Sequence, residues 1–384
     1  MRLEPVIGDD PRGIFRGLRG AIHGVGPALG LGLVSDFSTE VPAGTAVVVT
    51  TSGSTGVPKS VVLSRDALIA SALATAERIG DGAWLLALPG SYVAGLQVLV
   101  RSIVADREPA WLTGAFTPQA FTAAALTMLS TDRGERVPTY TSLVPAQLAT
   151  LLDAADSDET VLSALRSFET ILVGGQAIAP ATLERAQDAG ARVVRTYGAT
   201  ETSGGCVYDG KPLRGVTVRI IDGEVRIAGP TLAEGYLGDA MATDAAFVRD
   251  PDGTRWYRTH DAGIVEGDVL RVRGRIDNVI ISGGINVSLD RVERVVRGIA
   301  GLHSAVVVGV SDARWGEASV VVVPRGEALR RSESVQLEEA RVAVADEIGP
   351  HARPTRLVLV DDLATLPSGK PDREAIRAAV AALH

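Results

Sequence analysis

Residues 50–60, TTSGSTGVPKS, alternate hydroxyls with glycines and end near a lysine. Gly53 and Gly56 let backbone N–H groups converge on an anion, Thr51, Ser52, Ser54 and Thr55 add donors, and Lys59 adds positive charge. That chemistry suits a polyphosphate. It is not the P-loop of kinases and ATPases, which has glycine directly before the lysine. Pro58 stands there instead, with a fixed φ and no N–H to offer. Taken alone, such a stretch is as readily an ordinary Ser/Gly loop.

Four more stretches follow in order. Residues 197–202, YGATET, follow an expected strand, so Glu201 stands where parallel sheets place ligands and suits a Mg²⁺ ion carried by a polyphosphate. Within residues 256–263, WYRTHDAG, Asp261 offers an acceptor for a ribose diol. Residues 274–288, GRIDNVIISGGINVS, bring together Arg275, Asp277 and a Gly283-Gly284 turn, and residues 366–372, LPSGKPD, hold Lys370 in a Pro/Gly turn. Each is weak alone: taken singly, Glu201 reads more readily as a solvated loop acid, and a solvated tail position is the usual fate of a lysine such as Lys370. Their common order along one chain carries the weight.

The elements that must position these residues can be read from pattern. A β-branched strand at 45–48, a loop through 60 and Ser64 as N-cap of a helix at 66–79 give strand, loop, helix. Strands at 83–88, 140–144, 170–173 and 192–195 then alternate with helices at 93–104, 146–155 and 180–188. This predicts a mostly parallel, helix-covered sheet of the α/β class. From about 206 to 273 short strands and the Asp222-Gly223 turn predict an antiparallel β subdomain. Past 274 the pattern resets into helices near 290–297, 337–348 and from 373, with strands at 305–310, 319–323 and 356–360. The expected organisation is a large N-terminal domain, 1–276, and a small mobile α+β domain, 278–384, with 325–334 as a polar loop and a hinge near 277.

Composition narrows the function classes. The 384 residues allow about two or three domains at roughly 150 each, and 46% apolar with 22% charged residues excludes disorder. A net charge of -8 without a basic run argues against nucleic acid. Cys206 is the single cysteine, so no intramolecular disulfide forms, and the five histidines are scattered, without zinc-ligand spacing. There is no signal-type h-region and no run near the ~18 apolar residues of a membrane span, so a soluble cytoplasmic protein is expected. Cys206 follows the YGATET stretch closely but has no partnering histidine, so a buried structural thiol is expected.

Together the five stretches resemble the adenylate-forming superfamily of acyl-CoA synthetases, peptide-synthetase adenylation domains and luciferases, over about residues 47–372. Three further strings, residues 88–102 (LPGSYVAGLQVLVRS), 141–148 (TSLVPAQL) and 173–178 (VGGQAI), look like the compact o-succinylbenzoate-CoA ligases of menaquinone biosynthesis, in particular the shortened actinobacterial type. The resemblance implies two half-reactions: a carboxylate and ATP give an acyl-adenylate and pyrophosphate, then the thiol of coenzyme A displaces AMP. It implies that Thr51 to Lys59 hold the β- and γ-phosphates, that Gly174, Gly175, Gln176, Tyr197 and Gly198 line the nucleotide, that Glu201 binds Mg²⁺, and that Asp261 and Arg275 hold the ribose. Lys370 would bridge the carboxylate and α-phosphate, Thr200 or Thr202 would touch phosphate or substrate, and Asp277 would be the hinge. Tyr92, Arg101, Ser142 and Lys211 are the candidate acyl-site residues. Arg101 is the first choice for the second carboxylate of o-succinylbenzoate and Lys211 the second, since a buried anion needs a cationic partner. A homodimer is one assembly open to such an enzyme. Two departures stand out: His260 where relatives commonly carry glycine, and Tyr92 where they commonly carry histidine. Competing readings are another aryl- or acyl-CoA ligase, an enzyme loading a carrier protein, and a nucleotide-binding regulator without turnover.

Overall fold

Seven strands build the sheet that carries Ser142, Tyr197, Gly198 and Lys211 and whose strand ends lead into Gly174 to Gln176 and Thr200 to Glu201, in the spatial order Lys211–Pro212, Gly204–Tyr208, Val193–Ala199, Thr170–Val173, Thr139–Leu143, Ala83–Leu86, Ala110–Trp111. The last five are parallel and the first two antiparallel. Alternation sorts the side chains: Leu85, Leu143, Ile171 and Val173 pack with Phe121, Leu148 and Phe168 on one face, while Trp84, Leu86, Tyr140 and Leu172 face the other core. The chain described here is a computed structural model covering residues 1–6, 8, 10–32, 40–51, 58–112, 114–132, 134–326, 332–366 and 369–383. Ser52, Gly53, Ser54, Thr55 and Gly56 of the phosphate-loop reading lie outside the described residues, as do 327–331 of the polar loop and Ser368 beside Lys370.

A second sheet takes the order Leu3–Pro5, Ala28–Leu31, Thr45–Thr51, Lys59–Ser64, Gly235–Tyr236. Here the structure corrects the strand-loop-helix expectation, because Lys59–Ser64 is itself a strand, antiparallel to Thr45–Thr51 with Thr51 opposite Lys59. Val61, Val62 and Leu63 are all buried, which makes extended backbone there as favourable as in Thr45–Thr51. Ser64 caps the helix Arg65–Ile79 as expected, its Oγ accepting from Ala67 N–H. Sequence reading also left the first strands and the helix Pro11–Ile22 unassigned.

The antiparallel sheet begins at Thr217, in the order Thr217–Ile221, Glu224–Ala228, Arg255–Glu266, Phe247–Arg249, with Val269–Arg275 also on Arg255–Glu266. Gly204–Tyr208 and Lys211–Pro212 instead extend the seven-stranded sheet. Beyond 278 a further sheet contains Val279–Ser282, Ile285–Ser288, Val306–Asp312, Gly316–Pro324 and Arg356–Val360. Its period-two valines divide between two small cores. Val306, Val308, Val320 and Val322 meet Ile376 and Val380 of the helix Arg373–Ala381. Val307, Val321 and Val323 meet the helices Leu289–Arg297 and Glu333–Glu347.

Candidate active site

The exits of the parallel strands gather the expected residues. Thr170–Val173 ends in Gly174, where a Cβ would lie 2.2 Å from Thr196 Oγ1, and in Gly175, whose φ of +83° favours glycine and where a Cβ would lie 3.4 Å from Lys370 Cε. A side chain at Gly174 would clash with Thr196, whereas at Gly175 the left-handed backbone is what disfavours one. Val193–Ala199 carries Tyr197 and Gly198 and runs into the 3₁₀ turn Thr200–Thr202. Thr202 is consumed in closing that turn: its Oγ1 accepts from Ala199 N–H at 2.8 Å and lies 2.8 Å from the Gly204 carbonyl, to which it donates. Thr200 and Glu201 stay half-buried, and Ser203 follows with φ +53°.

Glu201 is held from across the fold. Tyr236 donates its hydroxyl to Glu201 Oε1 at 2.9 Å, and the Lys59 ammonium lies 4.9 Å from the Tyr236 ring centroid. Thr51 Oγ1 donates to the Lys59 carbonyl at 3.3 Å, tying together the two ends of the segment read as a phosphate loop. Tyr236 was missed in the sequence; a lone Gly-Tyr pair carries little signal until the pairing of Tyr236 with Val61 brings it beside Lys59.

Asp261 and Arg275 are paired on adjacent strands. Tyr197 donates to Asp261 Oδ2 at 2.5 Å, and Arg275 Nη1 lies 3.6 Å from Asp261 Oδ1. Burial raises the Asp261 carboxyl above its usual range, although Tyr197 and Arg275 pull it down. Arg275 also grips Asp277 through two bonds of 2.8 and 2.6 Å and donates to the Thr259 carbonyl at 3.0 Å. Burial opposes the Arg275 charge, but the Asp277 bond and Asp261 outweigh it and raise its pKa; Asp277 is correspondingly held low, first by its bond from Arg275. Asp290 accepts from Arg275 N–H at 2.6 Å and from Asn278 Nδ2 at 2.7 Å, so the backbone around Asp277 is fastened to the helix Leu289–Arg297. His260, at the position expected to be glycine, is exposed and adopts φ +57°. Its N–H still donates to Glu224 Oε1 at 3.2 Å.

Lys370 comes from the far end of the chain to this cluster. The protein mass around it lowers its pKa below the usual lysine range, Glu201 and Asp261 oppose that fall, and Arg275 adds to it. Its surface stays water-accessible, so the fall is smaller than in a sealed core.

The candidate acyl-site residues divide. Tyr92 is the N-cap residue of the helix Val93–Val104, which runs along Gly204–Tyr208: Gln97 Cγ would be 3.1 Å from a Cβ on Gly204. Arg101 is buried, its guanidinium 4.8 Å from the Trp84 ring centroid and 3.3 Å from Tyr208 Oη. Burial lowers its pKa, with Tyr208 acting in the opposite direction, and no carboxylate of the described residues pairs with it. Its Nε, both amide atoms of Gln97 and the Ser203 hydroxyl are buried without a hydrogen-bond partner. Gln97 and Ser203 are further residues that sequence reading missed. Ser142 is buried in Thr139–Leu143, opposite Leu172. Gln176 is half-buried beyond Gly175. Lys211 is not brought to the cluster: its ammonium is on the surface, 2.9 Å from Asp268. Cys206 is buried and its thiol is pushed up to about 12 by burial, which removes it as a nucleophile.

Residues 32–237 match the AMP-binding enzymes and residues 291–370 the AMP-binding enzyme C-terminal domain. A probable 2-succinylbenzoate–CoA ligase of Mycobacterium tuberculosis is 40% identical over 337 residues, covering 86% of this chain and 83% of the relative. The 2-succinylbenzoate–CoA ligase of Enterococcus faecalis is 30% identical, over 85% and 67% respectively. Among solved structures, the o-succinylbenzoate CoA synthetase (MenE) of Bacillus subtilis, in complex with the acyl-adenylate intermediate OSB-AMP, superposes with a TM-score of 0.71 at 25% identity, over 87% of this chain and 69% of that one. With a family match over more than half its length and a relative at this identity, the chain belongs to the AMP-binding enzymes.

Proposed function

We propose that this protein is an AMP-forming acid–thiol ligase that converts o-succinylbenzoate, ATP and coenzyme A into o-succinylbenzoyl-CoA, AMP and pyrophosphate through an acyl-adenylate. The observation that carries the reaction class is Lys370 against Gly175, close enough to Glu201, Asp261 and Arg275 to feel their charges. A nucleotide-binding regulator has no need of a lysine delivered there from the C-terminal end of the chain. The 40% identity to the Mycobacterium tuberculosis ligase supports the substrate.

In the first half-reaction a substrate carboxylate oxygen attacks the α-phosphorus and the bond to pyrophosphate breaks, so charge builds on both sides of phosphorus. Lys370 spans the carboxylate and the α-phosphate and neutralises that charge. Asp261 accepts from the ribose diol, with Tyr197 and Arg275 fixing its orientation; Gly174, Gly175, Gln176 and Gly198 leave room for the nucleotide. Thr51 and Lys59, with the residues between them, take the β- and γ-phosphates, and Thr200 adds a hydroxyl. A Mg²⁺ ion carried by the polyphosphate would need only one or two protein carboxylates, and Glu201, with one oxygen engaged by Tyr236, fits that donor set; the ion would supply charge neutralisation on the polyphosphate. In the second half-reaction the coenzyme A sulfur attacks the acyl carbon and AMP departs.

The two steps need different surfaces over one site, which supports a mobile C-terminal domain, 278–384, turning on Asp277 against a body of 1–276. Arg101 serves the aromatic carboxylate, with Tyr92 and Ser142 contributing pocket wall. Cytoplasmic residence and a homodimer complete the reading; the single buried thiol suits a reducing compartment, and light scattering reads out assembly. Mass spectrometry of products from ATP, coenzyme A and a panel of aromatic acids tests the function: a thioester of o-succinylbenzoate is expected, and its absence alongside another thioester would reassign the substrate.

A further inference from the structure

We infer that Tyr236 is a positioning residue that couples the phosphate-binding lysine to the metal-binding glutamate. The inference rests on the proposed roles of Lys59 and Glu201. Its basis is geometric: Tyr236 lies on a two-residue strand at the edge of the sheet that carries Lys59, with Tyr236 opposite Val61 and Leu237 N–H donating to Ser60 O at 2.8 Å. From the same segment, Ala233 N–H donates to Glu201 O at 2.8 Å, so one short strand is fastened to both partners through backbone. The side chain repeats the connection. Its hydroxyl reaches Glu201 Oε1 at 2.9 Å while its ring face receives the Lys59 ammonium at 4.9 Å.

Those two contacts have separate consequences. The hydroxyl occupies one carboxylate oxygen and so sets the direction of the other, as partners behind a metal ligand commonly do. The ring holds the Lys59 charge beside the segment that meets the polyphosphate, through attraction to its π face. The Tyr236 backbone N–H is in turn fixed by Thr243 Oγ1 at 2.9 Å, so the ring approaches from a braced edge. With ring and hydroxyl on one side chain, displacement of the lysine by an incoming phosphate is felt at the glutamate.

Calorimetric titration of three ligands separates the contacts: AMP, ATP with a chelator, and ATP with Mg²⁺. Tyr236→Phe keeps the ring and loses the hydroxyl. It should bind AMP and metal-free ATP like the parent, but lose about 10-fold of the Mg²⁺-dependent gain in ATP affinity, the scale seen when a ligand's supporting bond is removed. Raising Mg²⁺ should restore it, which a misfolded variant would not allow. Tyr236→Leu should in addition weaken metal-free ATP by about 2- to 5-fold with AMP unchanged, as a lost cation–π contact predicts. Equal losses on all three ligands, or an unchanged Mg²⁺ gain in Tyr236→Phe, would overturn the inference. Glu201→Gln distinguishes the premise: if it too leaves the Mg²⁺ gain intact, the metal-binding reading of Glu201 fails; if it abolishes the gain while Tyr236→Phe does not, only the positioning role of Tyr236 fails.

Discussion

Replacing Arg101 by methionine should separate stability from specificity. The guanidinium is buried, its Nε has no partner, and no carboxylate among the described residues faces it. In the protein alone it has two supports, the Trp84 ring at 4.8 Å and Tyr208 Oη at 3.3 Å. These contribute about 2 kcal/mol for a desolvated cation–π contact and about 1.5–3 kcal/mol for a charge-assisted hydrogen bond. Against them stands a desolvation penalty of several kcal/mol for an ion without a counter-charge. Methionine keeps much of the aliphatic volume and removes both the support and the penalty. The prediction is therefore a melting temperature unchanged or raised, together with weaker use of o-succinylbenzoate by about 1.5–3 kcal/mol, roughly 10- to 150-fold in kcat/KM. Benzoate-type monoacids, which offer no second carboxylate, should be spared. Thermal unfolding and matched dicarboxylate and monocarboxylate kinetics test this. A large drop in melting temperature, or equal losses on both substrate types, would mean that Arg101 is a structural cation and that the reasoning is wrong.

Lys370→Ala should lose adenylation by at least about 100-fold, the scale of one lost charge-stabilising group in the transition state, while sparing thioester formation from pre-made acyl-adenylate; equal loss in both would refute the assignment. Because protein mass lowers the Lys370 pKa, kcat/KM for adenylation should fall on the alkaline side before an ordinary lysine at about 10.4 would titrate, and Lys370→Arg should abolish that limb; a limb unmoved by the substitution belongs to another group. Asp277→Pro removes the fork from Arg275 and restricts φ, so each half-reaction assayed alone should outrun the coupled reaction, with ATP binding little changed. His260→Gly should stabilise the fold by about 1 kcal/mol, as relief of left-handed strain exceeds the added chain entropy; a lower denaturation midpoint would show that the exposed imidazole does something else.

Local signals made much of this readable in advance. The helices Val93–Val104 and Pro180–Asp188 and the strands Thr170–Val173 and Arg356–Val360 were legible because apolar periodicity and flanking Gly or Pro agree there. The strand Lys59–Ser64 was not, since a three-residue apolar run between a Ser/Gly loop and a capping serine carries no distinct period, and only pairing with Thr45–Thr51 makes it extended. The site divided in the same way. Glu201, Asp261 and Lys370 could be singled out because each lies in a short motif, and the common order of those motifs along the chain carries the weight. Tyr236, Gln97 and Ser203 could not be, because their neighbours come from distant stretches of the chain. The Tyr236–Glu201 bond spans 35 positions and that between Ser71 and the Ser203 carbonyl 132, while Gln97 lies against Gly204 in another element.

That contrast bears on how the enzyme distributes its tasks. On the proposed reading, the groups that meet phosphate, ribose and the reacting carboxylate lie in short contiguous motifs of the chain. Arg101 Nε, the Gln97 amide and the Ser203 hydroxyl are buried without a partner among the described residues, as are Thr122 Oγ1, Thr231 Oγ1, Arg219 Nε and the Gln336 amide elsewhere, and the first three belong to the helix Val93–Val104 and the turn before the strand Gly204–Tyr208. A buried polar atom without a partner costs about 1–3 kcal/mol, a cost that a bound polar group would offset. An apolar acyl chain would leave that penalty in place. On the proposed reading a carboxylate-bearing aromatic acid removes it at Arg101, so substituting the neighbouring Gln97→Leu should shift preference from o-succinylbenzoate toward less polar acids; unchanged preference would return Gln97 to the structural core.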